Sequence, residues 1–325
     1  MHSSLSKHIA IITPALSDAK NGNWETARRW HLFLSALYEV TVARDFVLKT
    51  STDSNATSPD LLIGLHARRS HAAIKAYSQL NKPIVVVLTG TDLYGDTYEH
   101  PQVRESLELA TQIVTLQGEA LAMLPEQFRA KARVIFQSAP SIEKAVGQKA
   151  TFDIAFIAHL RKEKDPITVL AAFKQFIAPN ARLLHVGRLD DYSDEFTAAA
   201  QKDDRIKLLG AMEHSDARAV LAQSSVMVLA SQMEGGANVI IEAITSGVAV
   251  IASRISGNIG MLGANYPGYF SYGNTDELLG LLNRCEAEPQ FMALLNKHCQ
   301  AIAAQFAPLE EERRVQALIA GLLIC

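Results

Sequence analysis

Apolar residues fall along the chain in two alternating rhythms. Short runs rich in Ile, Val, Leu and Ala occupy residues 8–13, 39–43, 61–65, 84–88, 112–116 and 133–136. Runs of this length and composition predict buried parallel strands. Between them, residues 24–37 and 70–80 space their apolar side chains at helical intervals. Strand alternating with helix implies right-handed crossovers and a doubly wound parallel sheet, the α/β class. The rhythm stops over residues 137–149, where Pro140, Gly147 and several polar residues interrupt it in the manner of a connector. It resumes with strand-like runs at 152–158, 183–187, 206–209, 226–230 and 248–252. The expected organisation is therefore two doubly wound domains, residues 1–145 and 146–307. Residues 308–325 are expected to form a terminal helix packing back toward the first domain, with Leu309, Val315, Leu318, Ile319 and Leu322 as its apolar positions.

Length agrees with two domains, since 325 residues exceed the ~100 to 200 of a usual single domain. Hydrophobic residues at 48% and charged residues at 20% fit a folded soluble enzyme and exclude a disordered chain. The formal charge of −3 supplies no field for a nucleic acid partner. Cys285, Cys299 and Cys325 make no paired framework, and no apolar run approaches the ~18 residues of a membrane span. A cytoplasmic chain with no membrane partner is expected.

In open α/β sheets, ligands sit on the turns that follow the strands. The most informative turn is Ser231-Gln-Met-Glu234-Gly235-Gly236-Ala237-Asn238-Val-Ile-Ile-Glu242, directly after the strand at 226–230. Gly235 and Gly236 let a ligand approach the amides opening the next helix, which makes an anion site. Glu234 and Glu242 stand one before the helix and one two turns inside it, so they address different parts of an elongated ligand such as a sugar diphosphate nucleoside. The alternative is a tight turn with solvated glutamates. Against it, Glu242 leads from the helix into a buried strand and needs a partner there, which a ribose diol would supply.

This Glu-x7-Glu segment resembles that of the family 4 glycosyltransferases of retaining type, which have the GT-B fold: two Rossmann-like domains with a cleft between them. The resemblance implies that Glu242 grips the ribose, that Glu234 lies by the transferred sugar, and that the amides near Gly235, Gly236, Ala237 and Asn238 face the diphosphate or the sugar. A second matching segment is Phe156-Ile-Ala-His159-Leu-Arg161-Lys162-Glu163-Lys164-Asp165-Pro166. Lys164 matches the family's diphosphate lysine, whereas His159 stands where the family usually carries arginine. That leaves Arg161 or Lys162 to supply the guanidinium or ammonium. A weaker match, Leu208-Leu-Gly210-Ala211-Met212-Glu213-His214, resembles the segment whose backbone reads the base. Donor contacts are thus expected at His159, Arg161, Lys164 and Met212. Gly22 and Asn23 join them, because the glycine-containing loop before the first helix is where GT-B enzymes place amides near the donor phosphates.

The first domain has Asn21-Gly22-Asn23-Trp24-Glu25-Thr26-Ala-Arg28-Arg29-Trp30, then Leu65-His66-Ala67-Arg68-Arg69-Ser70, then Leu88-Thr89-Gly90-Thr91-Asp92. Glu25 and Arg29, one turn apart, are expected to pair, leaving Arg28 for a ligand. Arginines and a histidine on post-strand loops fit an anionic acceptor, with Arg28, Arg68, Arg69, Thr89 and Thr91 as its contacts. Exposed arginines at helix starts would look the same.

Together with Ser253-Arg254-Ile-Ser-Gly257-Asn258-Ile-Gly260 and Tyr266-Pro-Gly-Tyr-Phe270, these motifs resemble the selenosugar synthases of bacterial selenoneine biosynthesis over nearly the whole chain. That resemblance implies transfer of a sugar from a UDP-sugar such as UDP-N-acetylglucosamine to selenophosphate, releasing UDP and phosphate. Glu234 and Lys164 are then the expected catalytic residues, with His66 and Asp92 as candidates for proton handling. No cofactor is expected. The sequence has no Asp-x-Asp triplet, so no metal is expected, and it has none of the zinc-hydrolase, Walker or Gly-x-Gly-x-x-Gly patterns. Two other readings stay open: a family 4 transferase acting on another small acceptor, and a non-catalytic sugar-nucleotide-binding protein.

Overall fold

The computed structural model describes residues 7–16, 22–48, 58–90, 92–94, 99–143 and 151–324. The chain divides into two compact units, one of Met1–Gln137 with Pro308–Cys325 and one of Ser138–Ala307. The division stands at Gln137, ahead of Ala145, which lies outside the described residues.

The first unit runs β1 (His8–Ile12), α1 (Gly22–Ser35), β2 (Glu39–Ala43), β3 (Leu61–Leu65), α2 (His71–Ser78), β4 (Ile84–Leu88), α3 (Pro101–Leu109), β5 (Gln112–Thr115), two single-turn helices α4 (Ala120–Met123) and α5 (Glu126–Arg129), and β6 (Ala132–Val134). Its six strands are all parallel, in the order β2-β1-β3-β4-β5-β6. Alternation along each strand sends Ile9, Ile11, Leu61, Ile63, Val85, Val87 and Val114 to one face and Ile12, Leu62, Ile84, Val86 and Ile113 to the other. Both faces are covered by helices, which is why the strands read as unbroken apolar runs. α2 and α3 cover the Ile12 face, through Ile74, Tyr77, Val103 and Leu107. α1 covers the Ile9 face through Trp30 and Leu34, joined by Val315, Leu318 and Ile319.

The second unit runs β7 (Phe152–Ile157), α6 (Pro166–Gln175), β8 (Ala181–Val186), α7 (Ser193–Lys202), β9 (Ile206–Leu208), α8 (His214–Ala222), β10 (Val226–Leu229), α9 (Asn238–Thr245), β11 (Ala249–Ser253), α10 (Ser256–Leu262), β12 (Tyr269–Phe270), α11 (Thr275–Ala287) and α12 (Pro289–Ile302). Its sheet is also six-stranded and parallel, in the order β12-β11-β10-β7-β8-β9. The pair Tyr269–Phe270 extends this sheet by a strand too short to show periodicity in the sequence.

The terminal helix α13 (Pro308–Leu323) belongs to the first unit. Its anchor is polar as well as apolar. Glu311, 1% exposed, accepts from Arg29 Nε at 3.0 Å and from Trp30 Nε1 at 2.9 Å. Among the described residues no helix is long and apolar enough to cross a membrane.

Candidate active site

The sheet order of the second unit reverses between β7 and β10, so the chain leaves these neighbouring strands in opposite directions and opens a crevice at their carboxyl ends. The turn after β7 contains a single 3-10 turn, Lys162–Lys164, which ends where Asp165 takes a left-handed conformation at φ 46° and Pro166 starts α6. The turn after β10 is the glutamate-glycine segment. Two bonds clamp them together: the Gln232 amide donates to the Glu163 carbonyl at 2.8 Å, and Lys164 Nζ donates to Glu234 Oε1 at 2.6 Å.

Glu234 is also held from behind. Ser231 Oγ donates to Glu234 Oε1 at 2.6 Å, Ser253 Oγ donates to the Ser231 carbonyl at 2.5 Å, and Asn258 Nδ2 donates to the Ser253 carbonyl at 2.9 Å. Ser231, Ser253 and Asn258 are fully buried, so this chain of bonds fixes the turn against β11 and α10 in a medium where such bonds are strong. The opening of α9 is partly occupied by the protein itself, because the Ala237 amide reaches Met261 Sδ at 3.2 Å. One of the amides expected to face the donor is therefore turned to a thioether instead.

About one turn into α9 rather than the expected two, Glu242 is 8% exposed. Its Oε1 meets His214 Nε2 at 2.7 Å. The expectation that only a ligand could partner this carboxylate is thus corrected: α8 begins at His214, whose half-exposed imidazole already does so. Met212 lies two residues earlier, half-buried on the same segment.

On the other side of β7, the turn after β8 presses on the turn after β7. Gly187 makes this possible, with φ 143° and no side chain: a Cβ there would stand 2.0 Å from the Ala158 carbonyl oxygen. The Arg188 amide then donates to His159 Nδ1 at 3.1 Å. Burial, and next the Arg188 guanidinium, hold the His159 imidazole below its ordinary pKa. Arg161 is exposed beside Glu163, with 3.3 Å between their charged groups.

In the first unit the post-strand turns are tied together differently. Asp92, 1% exposed, accepts three backbone amides: Ala67 at 2.8 Å, Thr89 at 3.0 Å and Gly90 at 2.9 Å. Its two oxygens pin the turn after β4 to the turn after β3. His66 sits beside it in a left-handed conformation at φ 70°, with Nδ1 accepting from the Arg69 amide at 3.4 Å. Burial lowers the His66 pKa, with the Asp92 charge opposing. These bonds give Asp92 a structural duty in holding the two turns.

The arginine pairing is the reverse of the expected one. Arg28 Nη2 donates to Glu25 at 3.1 Å, while Arg29 turns to the buried Glu311. The physical reason is that Trp30 and Arg29 share a partner on α13, which draws Arg29 off the Glu25 side of the helix. Arg68 and Arg69 are exposed in the turn before α2. Gly22 and Asn23 fall inside the first turn of α1, where the Gly22 carbonyl accepts from Thr26 Oγ1 at 2.9 Å, so they are helical and not loop residues. Thr91 lies outside the described residues.

Residues 138–298 match the model of the family described as Glycosyl transferases group 1. The second unit belongs to that family. Across both units the fold is that of GT-B glycosyltransferases. HepE from Anabaena, solved with UDP-glucose, superposes with a TM-score of 0.73 at 16% identity, covering 97% of this chain and 100% of that one. A glycosyltransferase from Rickettsia africae superposes with a TM-score of 0.76 at 12% identity, over 98% and 99% of the two chains. By sequence, the chain is 38% identical over 64 residues to one subunit of the human phosphatidylinositol N-acetylglucosaminyltransferase. That segment spans 20% of this chain and 13% of the human protein.

Within the group 1 unit, the predicted residues Lys164 and Glu234 meet directly, and Glu242 lies on the same helix that the glutamate turn opens. Two residues of this unit are not assigned by sequence reasoning. His214 ends the segment from Leu208, but nothing in the linear order brings it to Glu242. Arg188 follows a strand directly, and the rule that ligands gather on post-strand turns marks its position.

Proposed function

We propose that this chain is a glycosyltransferase that takes a nucleotide-sugar donor on its group 1 unit. The observation that carries the reading is the Lys164–Glu234 pair at the point where the strand order reverses, with Glu242 buried on the helix that follows. Lys164 has three donors, so it holds Glu234 and still offers N–H groups to a donor diphosphate. The charge that grows on the departing nucleotide is met there and by the amides at the start of α9. Glu242, anchored by His214, accepts from the ribose hydroxyls, and Glu234 faces the transferred sugar.

The finer reading is a UDP-sugar donor, UDP-N-acetylglucosamine or a close analogue, with selenophosphate as acceptor. It is supported by the sequence motifs of both domains and by the exposed Arg68 and Arg69, which suit an anionic acceptor. Selenium attacks the anomeric carbon as that carbon's bond to the diphosphate oxygen breaks, and UDP leaves with the electron pair. Water then cleaves the phosphorus–selenium bond, releasing phosphate and the selenosugar. Selenophosphate is already an anion, so no strong general base is needed, and positioning supplies most of the rate.

The test is UDP release from UDP-N-acetylglucosamine with and without selenophosphate, for the native chain and for Glu242→Ala. We expect release to depend on selenophosphate, and Glu242→Ala to raise the donor KM by about 10- to 100-fold, the loss of one or two hydrogen bonds to a charged group. Release that ignores selenophosphate removes the acceptor and leaves the transferase. No release or transfer from any UDP-sugar, with any acceptor, removes the transferase.

A further inference from the structure

His159 and Arg188 make an arrangement that the protein alone does not satisfy. A backbone N–H only donates, so the Arg188 amide at 3.1 Å makes His159 Nδ1 an acceptor. An uncharged imidazole that accepts on Nδ1 carries its proton on Nε2. Arg188 Nη1 stands 3.3 Å from that Nε2, and a guanidinium nitrogen also only donates. Two N–H donors thus crowd one point with no acceptor between them. The guanidinium is kept there from its far side, where Nε donates to Asp190 Oδ1 at 3.1 Å. The Arg188 side chain is 57% exposed, so solutes reach it. Arg161 and Lys164, on the same turn as His159, add positive charge around the point, while Asp190 opposes it and the buried His185 lies behind.

We propose that Arg188 and His159 form a paired donor site for one phosphate oxygen, and, resting on the nucleotide-sugar reading, that this phosphate belongs to the donor's diphosphate. An oxygen inserted at that point accepts from His159 Nε2 and Arg188 Nη1 together and relieves the donor–donor contact. The geometry gives the guanidinium duty to Arg188, from the turn after β8, and leaves Arg161 on the exposed side against Glu163. His159 takes part as an uncharged donor, in keeping with the burial and neighbouring cations that hold its pKa down.

Calorimetric titration of the full chain with inorganic pyrophosphate, UDP and uridine tests this. Arg188→Ala is expected to weaken pyrophosphate and UDP by at least ~10-fold, the scale of one charged hydrogen bond, and to change uridine by less than ~2-fold. Arg188→Lys should fall between, since a point charge cannot reproduce the fork. Arg188→Gln keeps the length without the charge and should match Arg188→Ala, which guards against a folding artefact at one variant. Equal affinity of Arg188→Ala and the native chain for pyrophosphate and UDP overturns the inference while leaving the nucleotide reading intact. Pyrophosphate binding that needs Arg188, with no binding of UDP or uridine sensitive to Glu242→Ala, does the opposite. A native chain that binds neither pyrophosphate nor UDP overturns both.

Discussion

The turn around Glu234 and the turn around Asp92 are both bound tightly, but to different kinds of partner. Glu234 holds a lysine ammonium and a serine hydroxyl, side-chain groups that a ligand of like chemistry can share. Asp92 holds three backbone amides that have no other acceptor in its place. A carboxylate spent on the backbone is scaffold, whereas one spent on a mobile cation is poised for exchange. Arg68 and Arg69 are exposed on a turn that Asp92 fixes. In the second unit the groups that fix the turn, Lys164 and Glu234, are the ones proposed to meet the donor.

The largest expected effect follows from that contrast. Asp92→Ala orphans three amides in the first unit and should destabilise the protein by about 3 to 5 kcal/mol, measured by urea unfolding. A loss below about 1 kcal/mol would mean that the amides find water easily and that the turn is not held as described.

An intermediate effect concerns protons. Burial lowers the pKa of His66 in the first unit and of His185 in the second, and the buried His185 Nδ1 has no hydrogen-bond partner for an added proton. In the unfolded chain both titrate near ~6.5, so below that pH the unfolded state binds more protons than the folded one. The sign is fixed: stability is fully present above about pH 6.5 and falls as pH drops through the folded pKa values, by at most ~1.4 kcal/mol per pH unit for each proton. Melting temperatures that stay flat between about pH 7.5 and 5.5 would contradict both burials.

The smallest effect separates the arginines. Arg28 is half-exposed and, among the described residues, pairs with Glu25 one turn away, so Arg28→Ala should alter stability by less than about 0.5 kcal/mol. Acceptor dependence should weaken with it if Arg28 takes part. Unchanged selenophosphate dependence in that variant, with loss in Arg68→Ala, would place the anionic acceptor on the turn after β3 alone.

Much of this site is legible in one dimension. Post-strand position and the Glu-x7-Glu spacing mark Glu234 and Glu242, because strand, glycine turn and helix form a local unit whose geometry the sequence specifies directly. Lys164 is legible only through resemblance, since seventy residues separate it from Glu234. His214 and Arg188 escape assignment, and the Glu25 pairing differs from expectation, because each depends on which neighbour a long side chain meets in space. Local spacing offers Glu25 to either Arg28 or Arg29, and the distant Glu311 decides between them.

The sequence by itself determined the two parallel-sheet domains, their helical crossovers and the turns where chemistry gathers, since hydrophobic periodicity and turn residues act over a few positions. Tertiary structure alone decided which polar groups are consumed in holding those turns and which remain to meet a ligand. That division depends on hydrogen-bond partners brought together by parallel pairing and helix packing, across separations that no local pattern encodes.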